Sequence, residues 1–173
     1  FEVFSDEFTE MERQADIIQS WGPNVYVKVP VTNTKGEPSY PLVKKLLAKG
    51  IRPNITAVFT QAQLNNIQEI LNPADDAIIS IFAGRIADTG KDPIPLMKQA
   101  VAQFARFPKV RILWASPREA LNIYQADECG CHIITATTDL IAKLPLYKKS
   151  DEEFSLETVK MFYDDGKRAG FQL

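Results

Sequence analysis

Short apolar runs rich in β-branched residues alternate with amphipathic segments along the chain. The runs are predicted as strands at residues 1–4, 25–30, 54–59, 77–82, 110–115 and 132–136. Each is followed by a segment with apolar residues at helical spacing, as Phe8, Met11, Ala15 and Ile18 are placed after the first run. Continuous apolar strands that alternate with helices are typical of a buried parallel sheet, so the pattern predicts the α/β class.

Capping residues and helix breakers predict where the helices begin and end. Ser5 is a candidate cap for the first helix, and Thr60 with Gln63 forms a capping box before the third. The segment 116–119 (SPRE) has both a capping box and a proline start, which predicts a helix from there to residue 124. A charged linker at 148–153 precedes a C-terminal helix predicted over 155–170, with a glycine at its end.

Composition restricts the function classes. The 173 residues are enough for one domain, predicted over 1–173, and the 20 basic and 22 acidic residues give a net charge of -2. This balance argues against binding to nucleic acid or to an anionic membrane surface. No apolar run has the length of a membrane span, and the first residues do not resemble a signal peptide. We therefore expect a reduced, cytoplasmic setting.

Common cofactor motifs are missing from the sequence. No strand is followed by G-x-G-x-x-G, and no GK[ST] loop is present, which argues against dinucleotide and P-loop binding. Cys129, Cys131 and His132 lie close together in the sequence without a second cluster of metal-ligating residues. Such a set is a poor metal site, and no metal is expected.

Lys28 is the strongest candidate for a catalytic residue. It interrupts an apolar strand, and strand alternation places it on one face with Tyr26. Burial disfavours the charged form of an amine and frees it to attack a carbonyl carbon. The alternative is a lysine whose ammonium reaches water or pairs with a carboxylate. Glu2, in the first predicted strand, is either that partner or a group that moves protons.

Further polar residues lie at or near the carboxyl ends of strands, where α/β barrels place their functional groups. Asn54 and Thr56 share a strand face and are suited either to substrate hydroxyls or to structural hydrogen bonds. Arg85 has the planar fork that binds phosphate, although an arginine that stands alone in this way is more often a surface residue. Ser116 precedes a predicted helix start, which favours anions, and Arg118 follows it; a simple helix cap is the alternative.

Several segments resemble the transaldolases and the related fructose-6-phosphate aldolases. The resemblance covers nearly the whole chain, and the lysine strand and the S-x-F-x-G-R segment are its specific parts. The segments are 27–32 (VKVPVT), 54–59 (NITAVF), 79–86 (ISIFAGRI), 111–116 (RILWAS) and 130–135 (GCHIIT). The resemblance implies a (β/α)8 TIM barrel and transfer of a dihydroxyacetone unit between sugar phosphates in the pentose phosphate pathway, without a cofactor.

The resemblance also implies a role for each matching residue. Lys28 would form the Schiff base, Glu2 would act through a catalytic water, and Asn54 and Thr56 would hold substrate and water. Glu2 favours transaldolase, because the related aldolases carry glutamine there. The remaining matching residues would line the substrate pocket or hold the phosphate: Ser80, Phe82, Arg85 and Ser116.

Two departures from the family pattern limit the resemblance. The family has a basic residue between the serine at 116 and the next helix, and Arg118 is expected to replace it. The family's first two strands supply an aspartate and an asparagine, and they would precede Phe1. We therefore expect a barrel that lacks its first two units in this chain. An inactive truncated barrel and an aldolase-type lyase are the alternatives. The apolar residues Val159, Phe162 and Tyr163 of the last helix are suited to cover either the barrel or a neighbouring subunit, which leaves a homo-oligomer open.

Overall fold

The computed structural model describes residues 1–170 and residue 172. The chain divides into two compact units, Phe1–Thr137 and Thr138–Leu173. All the predicted site residues lie in the first unit.

The first unit contains a parallel sheet. Five strands of the described chain pair in sequence order, so that each strand neighbours the next one along the chain. Their bounds are β1 Val27–Pro30, β2 Pro53–Val58, β3 Ala77–Ile81, β4 Val110–Trp114 and β5 Ile133–Ile134. The α/β prediction is confirmed, and this order is consistent with part of a (β/α)8 barrel.

The prediction of a strand over residues 1–4 is wrong, because only a single bridge forms there. Glu2 forms an isolated parallel bridge with Lys28, and three hydrogen bonds between main-chain groups accompany it. The Phe1 ammonium donates to the Tyr26 carbonyl at 3.2 Å. Val3 donates to the Lys28 carbonyl at 3.0 Å, and Lys28 donates to the Phe1 carbonyl at 2.7 Å. The segment nevertheless lies beside β1, and this brings the Glu2 side chain next to that of Lys28.

Helices follow the strands of the first unit. The capping box of Thr60 and Gln63 is confirmed, whereas Ser5 does not cap the first helix, because Glu7 holds that position. A further short helix forms immediately after β3. The bounds are α1 Phe8–Gln19, α2 Tyr40–Ala48, α3 Gln61–Ile70, α4 Ala83–Asp88, α5 Ile94–Phe104 and α6 Leu121–Glu128.

The predicted helix start at Ser116 is wrong. The helix begins only at Leu121, and Ser116 lies in the left-handed region with φ 57°. Asn122 explains the late start, since its side-chain oxygen accepts from the backbone amides of Arg118 and Glu119. These amides therefore bond to a side chain rather than remaining free at a helix N-terminus.

The hydrophobic core lies on one face of the sheet, which we call the outer face. Its strand residues are wholly buried among residues of the helices: Val27, Val29, Ile55, Ile79, Ile81, Ile112 and Trp114. The opposite, inner face has a much smaller apolar cluster of Ile78, Leu113 and Ala115. The inner face therefore has room for polar side chains.

The second unit is helical. It contains α7 (Thr138–Ile141), a 3₁₀ turn at Leu144–Leu146 and α8 (Asp151–Ala169). The last helix begins one turn earlier than predicted, because Ser150 caps it by accepting from the Glu153 amide at 3.1 Å. Gly170 ends it with φ 68°, as expected. Within residues 1–170, no helix is long and apolar enough to cross a membrane.

Candidate functional site

The inner face carries a row of polar side chains at the level of Lys28. Lys28 pairs in register with Asn54 of β2, and Ser80 of β3 donates to the Asn54 side-chain oxygen over 2.7 Å. Strand alternation produces this row, since the residues that flank them in the sequence point into the outer core. The structure thus brings the side chains of Lys28, Asn54 and Ser80 to one side of the sheet.

Lys28 forms an ion pair with Glu2. Its Nζ lies 3.2 Å from the Glu2 Oε2, and the two side chains are 34% and 46% exposed. The expectation of a buried lysine is therefore wrong for this structure, and the carboxylate-paired alternative describes it correctly. The pair keeps an acid–base group within hydrogen-bonding distance of the amine, which is what an amine nucleophile requires.

Thr56 lies on the inner face two residues beyond Asn54. Its side chain is buried, and its hydroxyl oxygen has no hydrogen-bond partner among the described residues. Buried hydroxyls in folded proteins nearly always have a partner, so an unpartnered hydroxyl at this position is unusual. The role of Thr56 in holding a water stays a prediction.

A bulge follows Thr56 and changes which side chains face inward. Ala57 has φ 59°, and the pairing of β2 with β3 shifts register between Ile55 and Val58. The extra residue lets Val58 remain buried in the outer core, and Phe59 then turns toward the inner face. Sequence analysis missed this, because period-two alternation alone assigns Phe59 to the outer face.

Phe59, Phe82 and Arg85 form a stack at the carboxyl ends of β2 and β3. The rings of Phe59 and Phe82 have centroids 5.6 Å apart, and the Arg85 guanidinium lies 5.1 Å from the Phe82 centroid. Arg85 itself is exposed. The stack positions a cation beside an apolar surface, an arrangement that suits a phosphorylated carbon chain.

Ser116 and Arg118 lie beside α4, in the segment after β4. Gly84 donates its amide to the Ala115 carbonyl at 3.2 Å, and the Ser116 backbone packs directly on Gly84. The Arg118 guanidinium pairs with Asp88, at the end of the same helix. Arg85 is itself a residue of α4, so this helix links the three predicted phosphate residues Arg85, Ser116 and Arg118.

The cysteines and the histidine have structural surroundings. Burial raises the pKa of the Cys131 thiol to about 12, with a smaller contribution from Cys129, so the thiolate is strongly disfavoured. His132 uses its Nδ1 to accept from the Ile112 amide at 3.0 Å. No group of three metal-ligating side chains occurs in the described residues.

The fold and the site together define an α/β protein with a carboxylate-paired lysine on the open face of a parallel sheet. Comparison with known proteins identifies the family. A family model described as Transaldolase/Fructose-6-phosphate aldolase matches residues 1–173. The chain therefore belongs to the transaldolase/fructose-6-phosphate aldolase family.

Individual relatives are similar over most of this chain and about two thirds of their own. A probable transaldolase 2 of Listeria monocytogenes is 35% identical over 157 residues, which cover 88% of this chain and 68% of that protein. A probable transaldolase of Streptococcus agalactiae is 34% identical, with 84% and 66% covered. One of Bdellovibrio bacteriovorus is 28% identical, with 97% and 73% covered. These names support an enzyme of the aldolase or transferase kind.

Proposed function

We propose that the protein is a transaldolase, which transfers a dihydroxyacetone unit from a ketose phosphate to an aldose phosphate through a Schiff base on Lys28. The observation that carries the proposal is the pair of Lys28 and Glu2 on the polar inner face. Membership of the family and the names of the relatives support the reaction class.

In the proposed reaction, the Lys28 amine attacks the ketose carbonyl carbon. The ammonium first gives up a proton, and Glu2 is 3.2 Å away to accept it directly or through water. The carbinolamine then loses water, and an iminium remains on the Lys28 nitrogen. Proton transfer back from the Glu2 carboxyl to the departing hydroxyl completes the exchange.

The iminium then acts as an electron sink. A base removes the proton of the C4 hydroxyl, the C3–C4 bond breaks, and its electron pair moves onto the iminium to give an enamine. The aldose phosphate leaves, and the enamine attacks the aldehyde carbon of the acceptor, whose oxygen takes up the proton that the base removed. Hydrolysis of the new iminium releases the product and regenerates the Lys28 amine. The proposed steps balance without a metal or an organic cofactor.

The other inner-face residues would bind and orient. Asn54 and Ser80, already hydrogen-bonded to each other, would contact substrate hydroxyls. The unpartnered Thr56 hydroxyl would hold the water that connects Glu2 to the reacting atoms. Phe82 would line the pocket.

The phosphate would bind at the carboxyl ends of β3 and β4. Arg85 and Arg118 would supply cations there, and the Ser116 hydroxyl would supply a donor. This proposal makes sugar phosphates of the pentose phosphate pathway the substrates, with a cytoplasmic setting, and leaves subunit assembly open.

A lyase of the fructose-6-phosphate aldolase type is the competing proposal, because the family includes both activities. The two differ in the fate of the enamine, which is protonated in the lyase and captured by an aldehyde in the transferase. The deciding experiment supplies fructose 6-phosphate with and without an acceptor aldose phosphate. A transaldolase forms product only with the acceptor; free dihydroxyacetone in its absence would establish the lyase instead.

A further inference from the structure

Three contacts fix the segment 116–119, which connects β4 to α6. Gly84 packs on the Ser116 backbone, Asn122 binds the amides of the segment, and Asp88 binds the Arg118 side chain. Neither Asn122 nor Asp88 matches a predicted site residue. Both nevertheless contact Arg118, the residue that is expected to replace the family's basic residue.

The segment runs along one face of α4. Gly84 and Asp88 are four residues apart, so they lie on the same side of the helix. A Cβ atom on Gly84 would lie 1.5 Å from the Ser116 carbonyl oxygen, so the backbones touch with no space between them. The close approach at Gly84 puts Arg118 within reach of Asp88 one turn later.

Asn122 fixes the backbone of the segment. Its side chain is 5% exposed, and its Oδ1 accepts from the Arg118 amide at 2.7 Å and from the Glu119 amide at 3.2 Å. Its Nδ2 donates to the Gln125 side-chain oxygen at 3.0 Å. A buried amide with its oxygen and nitrogen both engaged has little freedom to move, so the Arg118 backbone is held in place.

Asp88 fixes the side chain of Arg118. The Nε and Nη2 of Arg118 both donate to the Asp88 Oδ2, over 2.9 Å and 2.6 Å. A guanidinium has five N–H donors, so this contact leaves donors for a second anion. The Arg118 side chain is 51% exposed, which keeps those donors accessible.

We propose that Asp88 is a positioning residue, which orients the Arg118 guanidinium for the phosphate of the substrate while Asn122 holds its backbone. This inference rests on the proposed function, because it assigns Arg118 a phosphate ligand. An exposed ion pair adds little to folding stability. The ion pair instead restricts the rotamers of the Arg118 side chain before any anion binds. Less conformational entropy is then lost when the phosphate binds.

Orientation and charge predict opposite effects when Asp88 is changed. Its carboxylate orients Arg118 but also repels a phosphate, so the two contributions must be separated. The Asp88→Asn variant keeps an oxygen acceptor and removes the charge, whereas Asp88→Ala removes both. If orientation dominates, only the alanine variant weakens phosphate binding.

The experiment measures the binding of inorganic phosphate by calorimetry, with thermal unfolding as a check on folding. Asp88→Ala is expected to raise the Kd roughly fivefold to tenfold, and Asp88→Asn less than about twofold. Asp16→Ala, which breaks the exposed pair of Asp16 and Lys49, is the matched control and leaves the Kd unchanged. In an Arg118→Ala background, Asp88→Ala should have no further effect.

The inference is overturned if Asp88→Ala leaves the Kd unchanged or lowers it, if both Asp88 variants weaken binding equally, or if the effect persists without Arg118. It is also overturned if the wild-type protein does not bind phosphate. Reductive trapping of unphosphorylated dihydroxyacetone on Lys28 tests the proposed function separately, since that adduct needs no phosphate site. In turnover, Asp88→Ala should raise KM for a phosphorylated acceptor and leave KM for glyceraldehyde unchanged.

Discussion

The two faces of the sheet are built from adjacent residues yet differ in almost every physical property. Ile79 is fully buried in the outer core, while its neighbour Ser80 bonds to Asn54 on the inner face. Val27 and Val29 are fully buried, while Lys28 between them is a third exposed. One strand therefore supplies both the packing that stabilises the fold and the groups that we propose act on a ligand.

The contrast between the two faces shows how one sheet can stabilise the fold and also carry a candidate site. Outer-face side chains contribute through burial, which depends on shape and volume rather than on chemical identity. Inner-face side chains depend on particular atoms at particular distances. A substitution on the outer face should therefore change stability, and one on the inner face should change activity.

The largest effect is expected for Lys28→Met, which removes the proposed nucleophile and keeps a long apolar side chain. Activity should fall by at least about 10³-fold, because the substitution removes the amine that is proposed to form the iminium. The melting temperature should change little, since the side chain is partly exposed. Steady-state kinetics and thermal unfolding measure the two effects. Lys44→Met, at an exposed position of α2, is the control and should leave both values unaltered.

The next largest effect is expected on stability, for Ile79→Ala on the outer face. This residue is fully buried, so its truncation should lower the free energy of unfolding by about 2–5 kcal/mol. Ser80→Ala is its inner-face partner and should cost about 1 kcal/mol while raising KM. Urea denaturation with kinetics separates the pair. Equal losses of stability would break the distinction between the faces.

Glu2→Gln should lower kcat by about 10²-fold and leave the stability nearly unchanged. The glutamine can still hydrogen-bond, but it cannot accept the proton that the Lys28 ammonium releases. Glu7→Gln, which alters another exposed carboxylate paired with a lysine, is the control. Unchanged turnover in Glu2→Gln would refute the role of Glu2.

The smallest effect is expected on stability, for Glu12→Gln at the protein surface. Glu12 of α1 pairs there with Lys45 and Lys49 of α2. Hydrogen bonds from Lys45 and then from Lys49 lower the pKa of the Glu12 carboxyl. A lowered folded-state pKa stabilises the protein above the unfolded-state value of about 4.3, and this contribution disappears as the pH falls through the folded-state value.

The melting temperature of Glu12→Gln should therefore be slightly below that of the wild type at neutral pH. The difference should shrink as the pH falls below about 4. Glu69→Gln, at an exposed position of α3, is the control for the change of residue type. A gap that stayed constant or widened in acid would contradict the assignment.

The predictable parts of the fold depend on local patterns. The apolar periodicity located β1 to β5, and the capping box located the start of α3, because these signals act within a few residues. The sequence did not predict that residues 1–4 form only an isolated bridge at Glu2. Strand pairing depends on segments distant in the sequence, which a local pattern does not determine. The α6 start was missed because Asn122 reaches back to Arg118 and Glu119 and competes with the expected cap.

The site was predictable to the extent that strand alternation holds. Lys28, Asn54, Thr56 and Ser80 lie on the predicted face, since their strands are regular there. Period-two alternation assigns Phe59 to the outer face, but its side chain turns toward the inner face. The reason is the bulge at Ala57, which changes the alternation after Thr56. A left-handed alanine has no sequence signal of its own, and neither does the contact between Gly84 and Ser116. The pairing of Arg118 with Asp88 depends on that contact and was equally hidden.

The central claim is that one lysine on the inner face forms the covalent intermediate. The most direct test is to reduce the protein with borohydride in the presence of fructose 6-phosphate and to map the modified peptides by mass spectrometry. We predict a single substrate-dependent adduct on Lys28, absent from the Lys28→Met variant. No adduct, or adducts spread over exposed lysines such as Lys44, would contradict the claim.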